Sequence, residues 1–346
     1  MPFHFTEYNT SQRKHYLNTQ QLYEHYIQKK QRYYLEFHVS MYWKKVGERE
    51  YLSKKRSSTN SVTSLGLKSE ETVKIYEEFV RSKTALKEEL STLKAKLDKA
   101  QKLSKIEQLT RVPNALVNIY SKINELGLNE KMILIGTNAL YAYEAYCGVF
   151  VEEENLATED IDLLNKQSKE LSVIFAEVLP EGKLVELLKL IDKSFEPDTQ
   201  VPYRFRNKEG VLLEVLSPVQ NKSAFNGVQS RDDFAQMTAL TMEGMQWLEN
   251  SRLFKTMVIA DNGKCATLST IHPLEFAIYK NWLSTVQDRN ILKKNRDYAQ
   301  SRLVTQLIEE YMVNIDLPKE LSQMKHFRKD VIELYEKEVQ KWNTTS

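Results

Sequence analysis

The feature that most constrains the fold is a short apolar run that ends in glycine, Met132 to Ile135 followed by Gly136. It predicts a buried strand that breaks into a turn and continues as a helix from Asn138 to Tyr146. Downstream, Asp160 and Asp162 alternate with apolar residues, so on a strand both carboxylates lie on one face and the apolar side chains on the other. The two segments predict a sheet with one buried and one polar face.

The turn after the first strand has the composition of an anion-binding loop. The first amides of the following helix lack intrahelical partners and carry partial positive charge, which favours an anion there. Gly136 and the small hydroxyl residue Thr137 let a phosphate approach the backbone closely. We therefore expect Gly136, Thr137 and Asn138 to bind a triphosphate.

The paired carboxylates Asp160 and Asp162 suit a hard divalent cation. Mg²⁺ prefers oxygen ligands and keeps substrate phosphate in its shell, so the pair predicts a Mg²⁺ site beside the phosphate-binding turn. Two metal ions acting on one displacement usually need a third carboxylate, from a neighbouring strand. The candidate is Glu214, in the second half of a hairpin predicted over residues 201–216.

Glu214 also has structural interpretations. It interrupts an apolar run, and a lone charge on a buried strand must be paired or bound to a metal. It could instead face solvent on an edge strand, or form an ion pair with Arg204 or Arg206 across the hairpin. Asp192 and Asp198 compete for the role of third metal ligand.

The segment beyond residue 220 is mostly helical in pattern. It predicts a helix from Arg231 to Leu248, a hairpin from Lys255 to Thr270 with an Asn262-Gly263 turn, and a helix that begins at Pro273. We expect His272, just before that proline, to be structural rather than a general base.

Basic residues cluster in the same segment. On a predicted helix, Lys293, Arg296 and Asp297 lie three or four residues apart on one side. We expect Lys280, Arg289, Lys293 and Arg296 to bind phosphate groups. The alternative is a solvent-exposed face held by a Lys293–Asp297 ion pair.

The N-terminal part combines tyrosines with basic residues. Helical spacing predicts a helix from Leu17 to Phe37, followed by a hairpin from Met41 to Leu52 and a turn at Ser64–Gly66. Aromatic side chains of the hairpin alternate with basic ones and could contact RNA bases and phosphates. The alternative is a solvated hairpin whose aromatic residues pack on the next helix. The basic residues are Lys44, Lys45, Arg49, Lys54, Lys55 and Arg56.

A long helix is predicted from Ser69 to Leu109, and a shorter one from Ala115 to Leu126 follows Val112-Pro113. Apolar residues at three- and four-residue spacing form a seam on the long helix. Such a seam packs against its own protein or joins two copies, so an oligomer is an open alternative. The seam consists of Phe79, Leu86, Leu90, Leu93, Leu97 and Ala100.

Composition restricts the class of protein. The 346 residues are enough for two or three structural units, and a net charge of +2 means that nucleic-acid contacts depend on local patches. Cys147 and Cys265 lack metal-site spacing, and the N-terminus has no secretion signal. The most apolar window, Met132–Phe150, contains Asn138 and Glu144 and is not a membrane span. We expect a cytoplasmic protein without a membrane partner.

These motifs resemble the nucleotidyltransferase superfamily, in which a hydrophobic, glycine-containing turn precedes an Asp-x-Asp pair and a separate carboxylate. More narrowly, the chain resembles a bacterial group of proteins with the nucleotidyltransferase fold, and this resemblance covers most of the chain. It is carried by Ile135–Ala145, Ala157–Leu164 and Asp288–Asp297, with Met41–Lys44 and Ser64–Gly66 upstream. The chain departs from the pattern in its long interval between Gly136 and Asp160 and in a Glu at the third acidic position.

The resemblance implies a role for each motif residue. Gly136 and Thr137 would hold the triphosphate of an NTP. Asp160, Asp162 and Glu214 would be the metal ligands. Mg²⁺ would be the cofactor, and the reaction would move a nucleoside monophosphate to a hydroxyl acceptor.

The expected architecture is α+β, with a nucleotidyltransferase core formed by a mixed sheet and flanking helices. Residues 1–112 would form an N-terminal long-helix arm, residues 113–220 the catalytic core, and residues 221–346 a mostly helical C-terminal domain with one hairpin. An RNA end, such as that of tRNA, is the first expected acceptor, in the manner of relatives that serve as toxins or defence effectors. A protein hydroxyl is the second. The competing hypothesis is a catalytically silent binding module that acts through the long helix.

Overall fold

The computed structural model describes residues 2–37, 39–56, 61–152, 156, 160–165, 184–199, 204–216, 244 and 246–345. For Asp160 the description covers the backbone but not the side chain. The helix predicted from Arg231 to Leu248 lies outside the described residues as far as residue 243. Its described end, residues 246–248, is helical.

A mixed seven-stranded sheet lies at the centre of the fold. Its third and fourth strands are antiparallel to each other, and each is parallel to its outer neighbour. This arrangement confirms an α+β protein with a mixed sheet. In spatial order the strands are β11 (Leu253–Ile259), β12 (Cys265–Ile271), β5 (Met132–Ile135), β7 (Asp160–Asn165), β10 (Leu212–Leu216), β9 (Arg204–Arg206) and β8 (Glu196–Pro197).

The predicted hairpin of β11 and β12 is present, with its turn at Gly263. Its sequence position is within the expected C-terminal segment, and β12 pairs in parallel with β5 in the central sheet. Alternating polarity predicts that a segment is a strand, but it does not encode which strand is its neighbour. The central sheet therefore contains strands from both sides of residue 220.

Two helices flank the buried strand β5, and each is tied to the sheet by a buried tyrosine. They are α3 (Asn114–Glu125) and α4 (Leu140–Cys147). The Tyr120 hydroxyl lies 3.1 Å from the carbonyl oxygens of both Met132 and Ser269. The Tyr143 hydroxyl donates to the Ile271 carbonyl at 2.9 Å. A buried hydroxyl needs such a partner, so these contacts fix both helices on the sheet.

The N-terminal part is a helical hairpin with a small sheet at its tip. α1 (Thr10–Phe37) leads into an antiparallel sheet of β2 (Val39–Val46), β3 (Arg49–Arg56) and β4 (Val62–Leu67), and α2 (Glu70–Ile106) follows. Strand β4 occupies the place where the sequence predicts a turn at Ser64–Gly66. Its register against β3 shifts at Leu52/Ser53, and this irregularity hides the alternation that would have revealed the strand.

The apolar seam of α2 packs against α1 in the antiparallel direction. The ring centroids of Phe37 and Phe79 lie 5.3 Å apart, and at the other end a ring nitrogen of His15 lies 2.8 Å from the Ser104 hydroxyl. Leu86 and Leu93 of the seam are buried. The seam therefore packs within its own chain.

α1 is also docked on the rest of the protein. The Tyr16 hydroxyl donates to the Met257 carbonyl of β11 at 2.6 Å. The Tyr23 hydroxyl donates to the Asn124 side chain of α3 at 2.8 Å. Both hydroxyls are buried, so the arm is held to the core by satisfied polar contacts within an apolar interface.

Helices make up most of the remaining chain. Within the described residues, none is both long and apolar enough to cross a lipid bilayer. Two further short strands, β1 (Thr6–Glu7) and β6 (Val149–Phe150), pair antiparallel. In the part of the chain that the structure describes, the further helices besides residues 246–250 are α5 (Leu184–Ile191), α6 (Pro273–Thr285), α7 (Ile291–Tyr311), α8 (Leu317–Gln323) and α9 (Lys329–Thr345).

Candidate active site

The Asp162 carboxylate lies directly against Gly136. Gly136 follows β5 with φ 73° and ψ −164°, and Ile135 is the register partner of Asp162 on the neighbouring strand. A Cβ atom at residue 136 would overlap Oδ2 of Asp162 and lie 3.2 Å from its Cγ. Only glycine leaves room for the carboxylate in this conformation. The turn and the acidic strand therefore form one site.

The acidic positions of the two parallel strands are level with each other. Glu214 on β10 is the register partner of Asp162 on β7, and Leu212 is the partner of Asp160. Since register partners on neighbouring strands share a face, Asp162 and Glu214 lie on the same face of the sheet, and the backbone of Asp160 precedes Asp162 by two residues on the same strand. The intervening Ile161 is buried, as expected for the opposite face.

Glu214 forms an ion pair with Arg204 of the adjacent strand β9. Nε and Nη2 of Arg204 donate to Oε1 of Glu214 at 3.0 and 2.6 Å. This is one of the structural interpretations that the sequence left open. Within the described side chains, which do not include that of Asp160, no group of three or more His, Cys, Asp or Glu is arranged to hold a metal ion.

The alternative third carboxylate Asp192 is committed to a local turn. Its Oδ1 accepts from the backbone amide and the hydroxyl of Ser194, both at 2.8 Å, and its Oδ2 accepts from Asn207 at 3.0 Å. The hydrogen bonds from Ser194 are the main cause of its lowered pKa. Asp198 lies beside Arg204, whose carbonyl accepts the Asp198 amide at 2.8 Å.

The turn that the sequence predicts to bind phosphate is anchored to α7. Thr137 and Asn138 are buried, and the Thr137 hydroxyl accepts a hydrogen bond from Gln300 at 3.1 Å. The predicted helix from Asn138 begins as a 3₁₀ turn, Thr137–Ala139, and becomes α-helical at Leu140. Tight turns of this kind are common at the start of a helix.

Two basic residues pair with one buried carboxylate between α6 and α7, and a third lies within electrostatic range of them. The carboxylate of Asp297 accepts from Lys280 at 2.8 Å and from Nε of Arg289. Arg296 and Arg289 act electrostatically on Lys280, whose pKa is lowered chiefly by burial while Asp297 opposes the shift. Among these four residues the cations outnumber the carboxylate, so the cluster carries net positive charge.

Arg296 adds an unsatisfied donor to this cluster. Its Nε is buried and has no hydrogen-bond partner among the described residues. A buried donor without a partner is costly unless another group satisfies it. The cluster therefore has both the charge and the open donor of an anion site.

Tyr279 on α6 is within electrostatic range of both the basic cluster and the acidic strand, which its sequence context does not indicate. Burial is the main cause of its raised pKa, and Arg289, Asp297 and Asp162 all act on it electrostatically. Within α6 its sequence context is that of an ordinary core aromatic residue. Only the fold reveals that residues of both charged groups act on it.

Lys293 and His272, which the sequence analysis also discussed, are not part of the basic cluster. Lys293 is exposed, and Asp297 pairs with Lys280 and Arg289 rather than with Lys293. His272 precedes α6, where its Nδ1 lies 3.2 Å from an Arg252 nitrogen. Burial and the Arg252 charge lower the pKa of His272 to about 4, so it is neutral at pH 7.

Comparison with known protein families gave a match that covers more than half of the chain. A family described as Nucleotidyltransferase matches residues 114–324. The matched range includes β5, the acidic strands and the basic cluster between α6 and α7. Comparisons with curated proteins and with solved structures gave no match.

Proposed function

The chain belongs to this nucleotidyltransferase family, and from that premise we propose that it transfers a nucleoside monophosphate from an NTP to a hydroxyl acceptor. The observation that carries the proposal is the contact of Asp162 with Gly136, beside a net-positive cluster. The acceptor oxygen would attack the α-phosphorus while the bond to the bridging oxygen breaks, so that pyrophosphate leaves. The hydroxyl proton would pass to one of the site carboxylates.

We assign NTP binding to the phosphate turn and the basic cluster. Gly136, Thr137 and Asn138 would seat the triphosphate at the end of β5. The donors of Arg289 and Arg296, with the Lys280 charge behind them, would stabilise the negative charge that develops on the leaving pyrophosphate. The open Nε of Arg296 supports this assignment.

We assign Mg²⁺ binding to Asp160 and Asp162, with Glu214 as the third ligand. The common face and the register of Asp162 with Glu214 fit a hard cation that prefers carboxylate oxygens. When bound, Mg²⁺ would neutralise phosphate charge and polarise the reacting phosphoryl group. Arg204 competes for the Glu214 carboxylate, because it donates two hydrogen bonds to it.

The acceptor is proposed to be an RNA end, such as that of tRNA, which would suit an enzyme that acts as a toxin or defence effector. A protein hydroxyl, including one of this chain, is the second proposal. A silent binding module is a further candidate, and one observation favours it: the third carboxylate is neutralised by Arg204.

The test is incubation of the purified protein with Mg²⁺, each NTP labelled on its α-phosphate, and total RNA. Label on RNA supports the first acceptor, and label on the protein supports the second. An Asp162→Asn variant should transfer no label. Absence of label with every NTP and with both acceptors would overturn the enzymatic proposal for these acceptors and favour the silent module.

A further inference from the structure

The three-stranded sheet of β2, β3 and β4 has one face turned toward α2. Trp43 lies on this inner face, and its ring centroid is 5.7 Å from that of Tyr76 on α2. Leu52, the register partner of Trp43, is fully buried. A Cβ atom on Gly66, the next partner, would lie 3.5 Å from Thr72 of α2. The inner face is therefore part of the protein's own packing.

The opposite, outer face carries tyrosines among cations. The register places Lys44 opposite Tyr51, Tyr42 opposite Ser53, and Arg49 at the hairpin end. Lys55, the register partner of Ser40, is the third cation and lies in the row next to that of Tyr42. Lys44 and Arg49 are exposed, and Tyr42, Tyr51 and Lys55 are partly exposed. The two tyrosines thus lie in neighbouring rows, with Lys44 opposite Tyr51 and with the rows of Lys44 and Lys55 on either side of Tyr42.

No acidic residue of the three strands belongs to the outer face. Their one acidic residue, Glu50, is on the inner face, where it pairs with Lys68 at 2.6 Å. The outer cations are therefore not neutralised by neighbours within the sheet. This charge distribution is complementary to a polyanion.

We propose that the outer face binds single-stranded RNA, with the tyrosines stacking on bases and the three cations contacting phosphates. This inference rests on the proposed function, for which it supplies the site that holds the acceptor. Neighbouring rows on one face lie about 6.6 Å apart, since the rise per strand residue is about 3.3 Å. Aromatic side chains on such a platform stack on bases of any sequence, while cations follow the backbone.

The register-paired apolar residues of this face do not form a continuous patch, and Leu65, which is 38% exposed, is left without a partner on β3 by the register shift. Val62 and Leu67 are 46% and 45% exposed, but the row of Ser64 separates them. Val46 is 55% exposed and lies at the far end of β2. Membrane or protein docking would require these side chains to be contiguous. The interleaved pattern favours a ligand that alternates flat bases with charges.

The charge component is tested by fluorescence anisotropy with a labelled, mixed-sequence single-stranded RNA at several salt concentrations. The variant is Lys44→Gln with Arg49→Gln and Lys55→Gln. We expect weaker binding and a slope of log K against log salt that is shallower by about 2, because each phosphate contact contributes about 0.7. The matched control is Lys45→Gln with Lys54→Gln and Lys87→Gln, which changes net charge equally without altering the outer face.

The stacking component is tested with a Tyr42→Leu and Tyr51→Leu variant. We expect affinity to fall at least about tenfold with an unchanged salt slope, because stacking is not ionic. Circular dichroism and thermal unfolding establish that each variant is folded. Equal loss of binding in the outer-face and control charge variants would overturn the proposal, and so would an unmodified protein that does not bind the RNA.

The binding measurement uses no NTP and no metal ion. RNA binding through this face without label transfer would leave the docking proposal standing and remove the enzymatic one. Transfer of label to RNA that is equally efficient in the outer-face variants would do the reverse. The two proposals therefore fail in distinguishable ways.

Discussion

Gly136 is the residue whose conformation matters most to the candidate site. Its φ of 73° and ψ of −164° are almost restricted to glycine, and a Cβ would overlap Oδ2 of Asp162. We expect Gly136→Ala to lower nucleotidyl transfer at least about a hundredfold, because displacing a reacting group by about 1 Å has that effect. Steady-state kinetics with the RNA acceptor is the measurement.

The control for this substitution is Gly210→Ala. Gly210 also has a positive φ, 83°, but a Cβ there would meet nothing within 4 Å. It tests backbone strain without displacing Asp162. Similar losses of activity in the two variants would show that the contact between Gly136 and Asp162 does not control the rate of transfer.

His272 should make stability depend on pH. Its folded pKa of about 4 is below the usual value of 6.5, so the unfolded state takes up the proton first as pH falls. The contribution of His272 to the free energy of unfolding is complete above about pH 6.5. It is lost toward about pH 4, at up to about 1.4 kcal/mol per pH unit. Between about pH 7 and pH 5, urea unfolding should show the wild type losing about 1–2 kcal/mol more than His272→Asn. Equal losses would contradict this account.

At the scale of elements, the charged residues between α6 and α7 are expected to have two different roles: Asp297 stabilises the fold, and Arg296 binds the nucleotide. Asp297→Asn leaves Lys280 buried without its carboxylate and should destabilise the protein by about 3–5 kcal/mol.

Arg296→Gln should cost less than about 1 kcal/mol of stability yet raise KM for NTP about tenfold, since its Nε has no partner among the described residues. Denaturant unfolding and NTP kinetics measure these effects. An unchanged KM in the Arg296 variant would show that this donor does not bind the nucleotide.

The β9–β10 pair tests the third metal ligand. Glu214→Gln should reduce transfer at least about a hundredfold, because it removes a carboxylate that the proposed metal site requires. Arg204→Gln should retain transfer and reach half-maximal rate at lower Mg²⁺, because it releases the carboxylate that Arg204 now holds. Titration of activity with Mg²⁺ measures both. Full activity of Glu214→Gln would eliminate Glu214 as a ligand.

Local sequence signals predicted most elements but not the pairing between them. The capping residues Ser69 and Thr72 mark the start of α2, and the Asn262-Gly263 turn marks the β11–β12 hairpin. The sequence could not tell whether Glu214 would face a metal or Arg204, because both satisfy a charge on a strand. Nor could it predict that Asp162 acts electrostatically on Tyr279, because that proximity arises from tertiary packing.

At the scale of the whole molecule, the N-terminal arm is expected to be inseparable from the core. Removing residues 1–112 would expose the surface now covered by Tyr16 and Tyr23 and leave the Asn124 and Met257 acceptors without these donors. We expect the chain that begins at residue 113 to be insoluble, or to melt at least about 10 °C lower. Thermal unfolding of the soluble fraction is the measurement.

The control keeps α1 and α2 and replaces residues 40–66 with a flexible linker. This change leaves Tyr16, Tyr23 and the seam of α2 in place, so it should melt close to the wild type. If the linker variant lost as much stability as the truncation, the small sheet, rather than the docked helix, would be the stabilising part.

The docking of α1 has a consequence for how an acceptor would be chosen. Its contacts with the core extend from Tyr16, against Met257, to Tyr34, whose hydroxyl accepts from Lys122 at 2.9 Å. That span of helix is about 27 Å long at 1.5 Å per residue, and the small sheet begins soon after it. The RNA-binding face proposed above is therefore held at a fixed distance from the strands that carry the candidate site. An RNA would then be selected by length, because the distance from its bound segment to its reactive end must match the distance between the two sites.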